Sequence, residues 1–295
     1  GGSLLEAINI SNFFLPKGST IVSTKAKVKK WSNVYRANNK PLDLDIPITI
    51  LVNDRSASAS EIVSGALQDY DRAVILGERS FGKGLVQRYR ELSYGTQLKV
   101  TISKYYTPSG RCIQELDYAN RDENGKVPKF SDGTVTAYKT KNGRTVYDGG
   151  GVQPDIDIGY NAKTDATKEL LKSRAIFNFV TNYCHDNPEI SDYKAYQFND
   201  FKNFQNYLLS SDKSFVSEEE KLFKSAYLSV EDPKLVSKEF QQILKKLKRD
   251  KVEEIAKNRE YLSYLIQTEI VKRFYYEKGS FENKLSQDKV ILEAI

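Results

Sequence analysis

The chain has 295 residues, long enough for one large or two ordinary domains that each bury a core, and 28% of them are charged against 39% hydrophobic. Its apolar runs are too short to cross a bilayer as a helix, and a net charge of +6 spread over scattered lysines does not imply a nucleic-acid partner. A single histidine and two cysteines exclude a histidine-rich zinc site and make free thiols the expectation for Cys112 and Cys184.

In chain order, Leu4, Leu5, Ala7, Ile8 and Phe13 predict a helix that stops before Pro16-Lys17-Gly18, and Ser19 to Thr24 predicts a strand. Lys25 to Asn39, basic and polar around Trp31, reads as a solvated loop or hairpin, ahead of a flap that contacts substrate. Ile48 to Val52 is a β-branched and aliphatic run of the kind buried on both faces. After Asn53-Asp54-Arg55 the period changes. Ile62, Val63, Ala66, Leu67 and Tyr70 recur at helical spacing, and Ala73 to Leu76 is a second aliphatic run that stops at Gly77. Strand, helix, strand in this order predicts a right-handed crossover between parallel neighbours.

The turn inside that unit is rich in serine: Ser56, Ser58 and Ser60 stand between a strand and a helix mouth, where backbone N–H groups lack helical partners and an oxyanion can be held. Ser58 and Glu61 also spell a capping box, so the turn alone is a helix cap before it is a nucleophile. After the second strand, Gly77 to Gly84 places Lys83 between two glycines, either as a solvated surface lysine or as a base in a loop that packs closely. The lone His185 falls far along the chain, beside Cys184 at the end of a predicted helix before Asn187-Pro188. A serine hydrolase built here needs another base, and lysine is the one at hand.

Leu85 to Leu92 and Gln97 to Tyr106 form a predicted hairpin with one buried face, Leu98, Val100 and Ile102 alternating with Lys99, Thr101 and Ser103. Asp117 to Asp148 is a turn-rich excursion with tips at Asp122 to Lys126 and Lys141 to Arg144, bordering a groove. Asp155 and Asp157 read as strand-end polar residues in preference to a metal or carboxylate site. Beyond Tyr160 the pattern is helical. Thr164 to Asn182 is a helix, Ser217 with Glu220 is a capping box, and Asp232-Pro233 opens a helix with Leu235, Val236, Phe240, Ile243, Leu244 and Leu247 on one face. Tyr261 to Tyr276 continues in that style, for four or five helices in all. The lysine run from Lys245 to Lys251 is a solvated helix face, ahead of a membrane-surface or nucleic-acid contact.

The segments Ser56 to Glu61 and Gly77 to Gln87 closely resemble the core of the C-terminal processing peptidases, or tail-specific proteases, whose motifs are S-A-S-A-S-E and G-E-x-x-F-G-K-G-x-x-Q. Gly149 to Ile156 is similar to that family's G-G-G-x-x-P-D-x. The resemblance implies Ser58 as nucleophile, Lys83 as general base and Gln87 as the residue that orients the lysine. Chemistry alone leaves Ser56 and Ser60 open; the register of the resembled family, with the lysine twenty-five positions after the serine, implies Ser58. The resemblance further implies an α/β fold, a crotonase/Clp-protease-like layered β-β-α core over residues 1–160 truncated at its N-terminus, with an α-helical C-terminal region over residues 161–295. A strand ending in an N-P-G-G turn and a PDZ domain lie upstream in that family. Gly1 and Gly2 are either the end of such a turn, which makes the Gly2 N–H an oxyanion-hole donor beside the Ala59 N–H, or a cloning remnant. Ile270 to Gly279 resembles the helical extension of the Bacteroidetes branch, which implies an exported periplasmic or cell-envelope protein, with membrane association of the full-length parent left open.

The implied chemistry needs no metal or organic cofactor. A serine hydroxyl attacks only when a neighbour takes its proton, and a lysine lowered from about 10.4 to near 7 gives up about 4 kcal/mol of charge stabilisation. Burial is the usual means. Lys83 is therefore expected to be desolvated, steered by Gln87, with Glu78 turned away. The implied substrates are polypeptides with exposed C-terminal tails, added as an extended strand beside the sheet. The alternatives are an inactive protease-fold fragment and a peptide-binding scaffold without turnover.

Overall fold

The computed structural model describes residues 1–125, 127–130, 135–160, 162–190, 192–210, 215–230 and 233–295. Two positions singled out in the sequence, Lys126 at a loop tip and Asp232 as a helix cap, lie outside them. The chain divides into two compact units, Gly1–Gly159 and Tyr160–Glu293.

In the first unit, α1 (Leu4–Asn12) is followed by β1 (Thr20–Lys25), a 3-10 turn at Lys29–Trp31 and β2 (Asn33–Arg36). The basic stretch around Trp31 is thus a hairpin, β2 pairing antiparallel with β1. Next come β3 (Thr49–Val52), α2 (Ala59–Asp69), β4 (Val74–Gly77), β5 (Leu85–Glu91), β6 (Gln97–Tyr106), β7 (Ala137–Lys139), β8 (Thr145–Tyr147) and β9 (Ile156–Asp157). They form a four-stranded sheet in the order β2-β1-β6-β5, a three-stranded sheet in the order β3-β4-β9, and the β7-β8 pair. The strands β3, β4 and β9 run parallel. The hydrophobic core gathers Ile21 and Val22 of β1, Ile62, Ala66 and Leu67 of α2, Ile75 of β4, Ile113 and Val152.

Two expectations of burial are corrected. The strand β3, read as covered on both faces, is an edge strand with Leu51 42% exposed and Val52 alone buried. Ile50 and Val52 pack on the core while Thr49 and Leu51, which alternate with them, are exposed, so the strand is covered on one face. In the β5-β6 hairpin the buried side chains are Ser103 and Tyr105, while Leu98 and Val100 are exposed. The hairpin runs past the core, so its outer half is solvated on both faces. The inner end contacts the interior: Val86 of β5 packs against the core, and in β6, where it pairs with β1 through Ser23, Thr24 and Lys25, the opposite parity points inward.

The second unit contains α3 (Asp165–Lys172), α4 (Ala175–Asp186), α5 (Phe201–Ser210), α6 (Glu218–Leu228), α7 (Ser237–Ala256), α8 (Arg259–Gln287) and α9 (Lys289–Glu293). These are seven α-helices among the described residues, where the spacing predicted four or five. The run from Thr164 is split at Ser173, whose hydroxyl donates to the Leu170 carbonyl and accepts the Ala175 N–H, ending one helix and starting the next. Phe179 packs its ring edge against Phe204 and Phe198 at centroid distances of 5.0 and 5.9 Å. Ile255, Leu262, Ile266 and Ile270 complete the interior. Ser217 caps α6 through the Glu220 N–H, but the Glu220 carboxylate is turned to the buried Lys251 amine at 2.6 Å. No helix of the described residues is long and apolar enough to cross a membrane.

A buried ion pair ties the far end of α2 to the loop after β6. Arg111 and Asp69 meet at 3.0 Å with their side chains 0% and 1% exposed, and Gln68 adds a 2.7 Å bond from the guanidinium. Burial pulls the Arg111 guanidinium below its ordinary range, and the Asp69 carboxylate counters it. Removing one charge strands the other in the interior, so Asp69→Asn is expected to destabilise the first unit by about 3–5 kcal/mol, read from urea denaturation.

Candidate active site

The site is built where β3 gives out. Its exit turn is closed by Asn53 and Ser56: the Ser56 N–H donates to the Asn53 carbonyl at 2.9 Å, and the Ser56 hydroxyl accepts the Asn53 N–H at 3.2 Å. Ser60 lies inside the first turn of α2. Ser58, half-buried, occupies the position before the helix with φ 59° and ψ −115°. A positive φ on a residue with a Cβ costs about 1–3 kcal/mol and persists only where surrounding bonds impose it.

Glu61 imposes it. The side chain is fully buried, and four donors converge on its carboxylate. Oε2 accepts the Ser58 N–H at 2.8 Å and the Lys83 N–H at 2.9 Å. Oε1 accepts the Gly82 N–H at 2.7 Å and the Ser80 hydroxyl at 2.5 Å. Four donors fill the four lone-pair directions of a carboxylate. The glutamate of the capping box therefore does more than cap: it joins the serine turn to the lysine loop, with Ser58 and Lys83 sharing one oxygen. A second tie, the Phe81 N–H to the Ser56 carbonyl at 3.0 Å, runs between the same two segments.

The glycines beside Lys83 explain how the loop comes so close. Gly82 has φ +84°, and a Cβ there would stand 2.5 Å from the Glu115 Cβ. A Cβ on Gly84 would stand 2.9 Å from the Gln114 nitrogen. The loop backbone is fastened to that segment by the Glu115 N–H to the Gly82 carbonyl at 2.9 Å and the Gly84 N–H to the buried Gln114 side chain at 2.8 Å. With the main chain held on both sides, the Lys83 side chain projects outward and is exposed. The expected desolvation of Lys83 is thus not met in this arrangement. Its carbonyl, in contrast, accepts a bond from the hydroxyl of Tyr105, which comes near the Ser58 side chain.

The other residues singled out by sequence fall as follows. Gln87 follows a bulge in β5 and is exposed, its amide donating at 3.5 Å to Thr101, its cross-strand partner, and not to Lys83. A slip at the bulge turns it along the sheet. Ala59 opens α2, so its N–H is among the leading donors without an intrahelical partner. Gly1 and Gly2 lie against the same turn: a Cβ on Gly1 would be 3.3 Å from the Ala57 carbonyl oxygen, and one on Gly2 would be 3.8 Å from the Ala59 Cβ. His185 and Cys184 belong to α4 of the second unit. Cys112 and Cys184 are free. Among the described residues no cluster of His, Cys, Asp and Glu is arranged to hold a metal ion. Asp155 accepts the Ile75 N–H at 2.8 Å and the Gln68 amide at 2.9 Å, a structural link between β4 and α2.

Sequence reasoning missed Tyr105 and Gln114 and undervalued Glu61. The S-x-x-E spacing was visible but pointed only to a cap. Tyr105 has the parity of Ser103 in β6, and nothing local says that this parity faces inward.

Residues 1–119 match the family model described as Peptidase family S41, and residues 166–295 match that of the probable PDZ-protease C-terminal helical domain. A carboxy-terminal-processing protease of Bartonella bacilliformis is 50% identical over 118 residues, 39% of this chain and 26% of that protein. A probable CtpA-like serine protease of Staphylococcus aureus is 44% identical over 115 residues, 38% of this chain and 23% of that protein. The matches thus span about a quarter of the length of these curated relatives. Among solved structures, a photosystem II D1 C-terminal processing protease is similar at 29% identity and a TM-score of 0.39, over 54% of this chain and 32% of that one.

The convergence on Glu61 makes a direct prediction. Glu61→Ala leaves buried donors on both segments without an acceptor, at about 1–3 kcal/mol for each group left unsatisfied. The variant is expected to lose at least about 3 kcal/mol in denaturant unfolding. Amide hydrogen exchange at Ser58, Gly82 and Lys83 should accelerate together, because one acceptor protects all three.

Proposed function

We propose that this chain, whose residues 1–119 match peptidase family S41, carries the catalytic part of a serine endopeptidase that cuts polypeptides near their C-terminal tails through a Ser58–Lys83 dyad. The observation that supports it most is the single Glu61 oxygen that takes the N–H of both residues, since it roots a nucleophile and a lysine side by side. The names of the relatives, a carboxy-terminal-processing protease and a CtpA-like serine protease, support the substrate class. The exported setting implied by the sequence resemblance belongs to the same proposal.

In this reading the Ser58 hydroxyl attacks the scissile carbonyl while its proton passes to the Lys83 amine, giving a tetrahedral intermediate. The protonated amine then gives that proton to the substrate amine as the C–N bond breaks, leaving an acyl-enzyme whose ester water hydrolyses. The Ala59 N–H at the mouth of α2 and the Gly2 N–H beside it are the oxyanion donors. Lys83 is anchored by its backbone, and in this reading rotation of its side chain brings the amine from solvent towards Ser58. Closing over the turn under a bound peptide strips its water, the condition in which a lysine acts as a base. Catalytic bonds that are loose in a free enzyme commonly tighten in the substrate complex. Gln87 takes up its orienting role on the same closure.

A peptide-binding scaffold without turnover is the second reading, favoured by the exposed Lys83 side chain and by the Gln87 amide resting on Thr101. A serine-directed phosphonate probe, applied to the full-length protein, separates the two. It is expected to label the native protein but neither Ser58→Ala nor Lys83→Ala, and both variants should lose at least about 1,000-fold in cleavage of a tailed polypeptide. Labelling that survives in Lys83→Ala at neutral pH removes Lys83 as the base. A native protein that binds the polypeptide, takes no label and cuts nothing is a scaffold.

A further inference from the structure

We infer that Tyr105 is a positioning residue of the Ser58–Lys83 pair, its buried hydroxyl donating to the Lys83 carbonyl while its ring stands in the core cluster that also holds Ala59, so that one phenol sets the root of the lysine against the serine turn. The inference rests on the proposed dyad and adds to it a residue that neither motif contains.

The geometry begins with the strand. Tyr105 is 3% exposed at the inner end of β6, where it faces Thr24 of β1, itself 5% exposed. Its N–H donates to the Gly84 carbonyl at 3.0 Å, so its main chain and its side chain hold consecutive carbonyls of the lysine loop. The ring belongs to the core of the first unit. A hydroxyl on such a ring is fixed by a paired strand and by packing, which places it more reproducibly than a loop could.

The proton count of a phenol then assigns the direction. Its one O–H is spent on the Lys83 carbonyl, so the phenol is the donor of that bond. Burial, and then the nearby Glu61 carboxylate, push the Tyr105 phenol well above the ordinary tyrosine range, while the nearby Ser58 side chain works the other way. It therefore stays protonated, and the bond to the lysine loop is not lost by titration. For attack, the Ser58 hydroxyl rotates about its Cβ–Oγ bond towards the amine. The O–H bond of Ser58 breaks, an N–H bond forms on Lys83, and the serine oxygen pair forms the bond to the carbonyl carbon. Tyr105 neither gives nor takes a proton, and throughout it keeps the Lys83 main chain in place.

Tyr105→Phe in the full-length protein is the test, because it keeps the ring and deletes the bond to the lysine loop. The expected result is a kcat lower by about 100-fold, the scale of a small misplacement of reacting groups, with KM within about twofold. The rate of Ser58 phosphonylation should fall by the same factor. An unchanged kcat overturns the inference, and so does a loss that matches the fraction of unfolded protein, since a purely structural tyrosine would act that way. A second measurement does not depend on the variant folding. With 3-fluorotyrosine at position 105, the fluorine resonance should move when Ser58 is phosphonylated and again in Ser58→Ala, and no movement in either case overturns the inference. Ser58→Ala and Lys83→Ala run in parallel: turnover retained in either of them defeats the dyad itself, an outcome distinct from a normal Tyr105→Phe.

Discussion

A buried carboxylate with four donors on it, Glu61, is the constraint on which the site depends. Removing a carboxylate from water costs several kcal/mol, and hydrogen bonds to a charged group return about 1.5–3 kcal/mol each. The balance is small, so the arrangement is better understood as a device for register than as a source of stability. It holds Ser58 at a backbone angle that few residues adopt, and it holds the Gly82 and Lys83 amides at a fixed offset from that serine. Two segments with a helix and a strand between them are tied to one carboxylate.

The other buried ionic groups are solved differently. Asp69 and Glu220 each face a cation, Arg111 and Lys251, and each joins two pieces of its own unit. Glu61 faces main-chain amides and a hydroxyl. Amides are fixed in direction by the backbone, whereas a lysine amine turns freely on its stem, so the Glu61 arrangement specifies the path of the chain more narrowly. That suits a segment whose task is to present side chains at set positions.

The exposed Lys83 side chain and the Gln87 amide on Thr101 describe a surface with its anchors set and its tips loose. The difference follows from where each group is held. Ser58 is fixed through its own backbone and a helix mouth, and the Lys83 main chain is fastened from Glu61 on one side and Tyr105 on the other. The lysine side chain beyond it has four rotatable bonds and no comparable anchor. Gln87 sits past the bulge, on the stretch of hairpin that has already left the core.

Local patterns were enough for the helix from Leu4, the parallel strand-helix-strand unit and the hairpin after the lysine loop, because apolar spacing and turn residues act over a few positions. The two motifs were legible for the same reason, being contiguous runs in which glycine, serine, glutamate and lysine stand at set intervals. What only the tertiary structure decided is which side of a strand meets the interior and which distant groups share a partner. β3 is open on the face of Thr49 and Leu51 because the core packs against Ile50 and Val52, and Tyr105 rather than Leu98 turns inward because the hairpin outruns the core. Burial is a property of the assembled layers, and a sequence records the order of side chains without recording which layer each will meet.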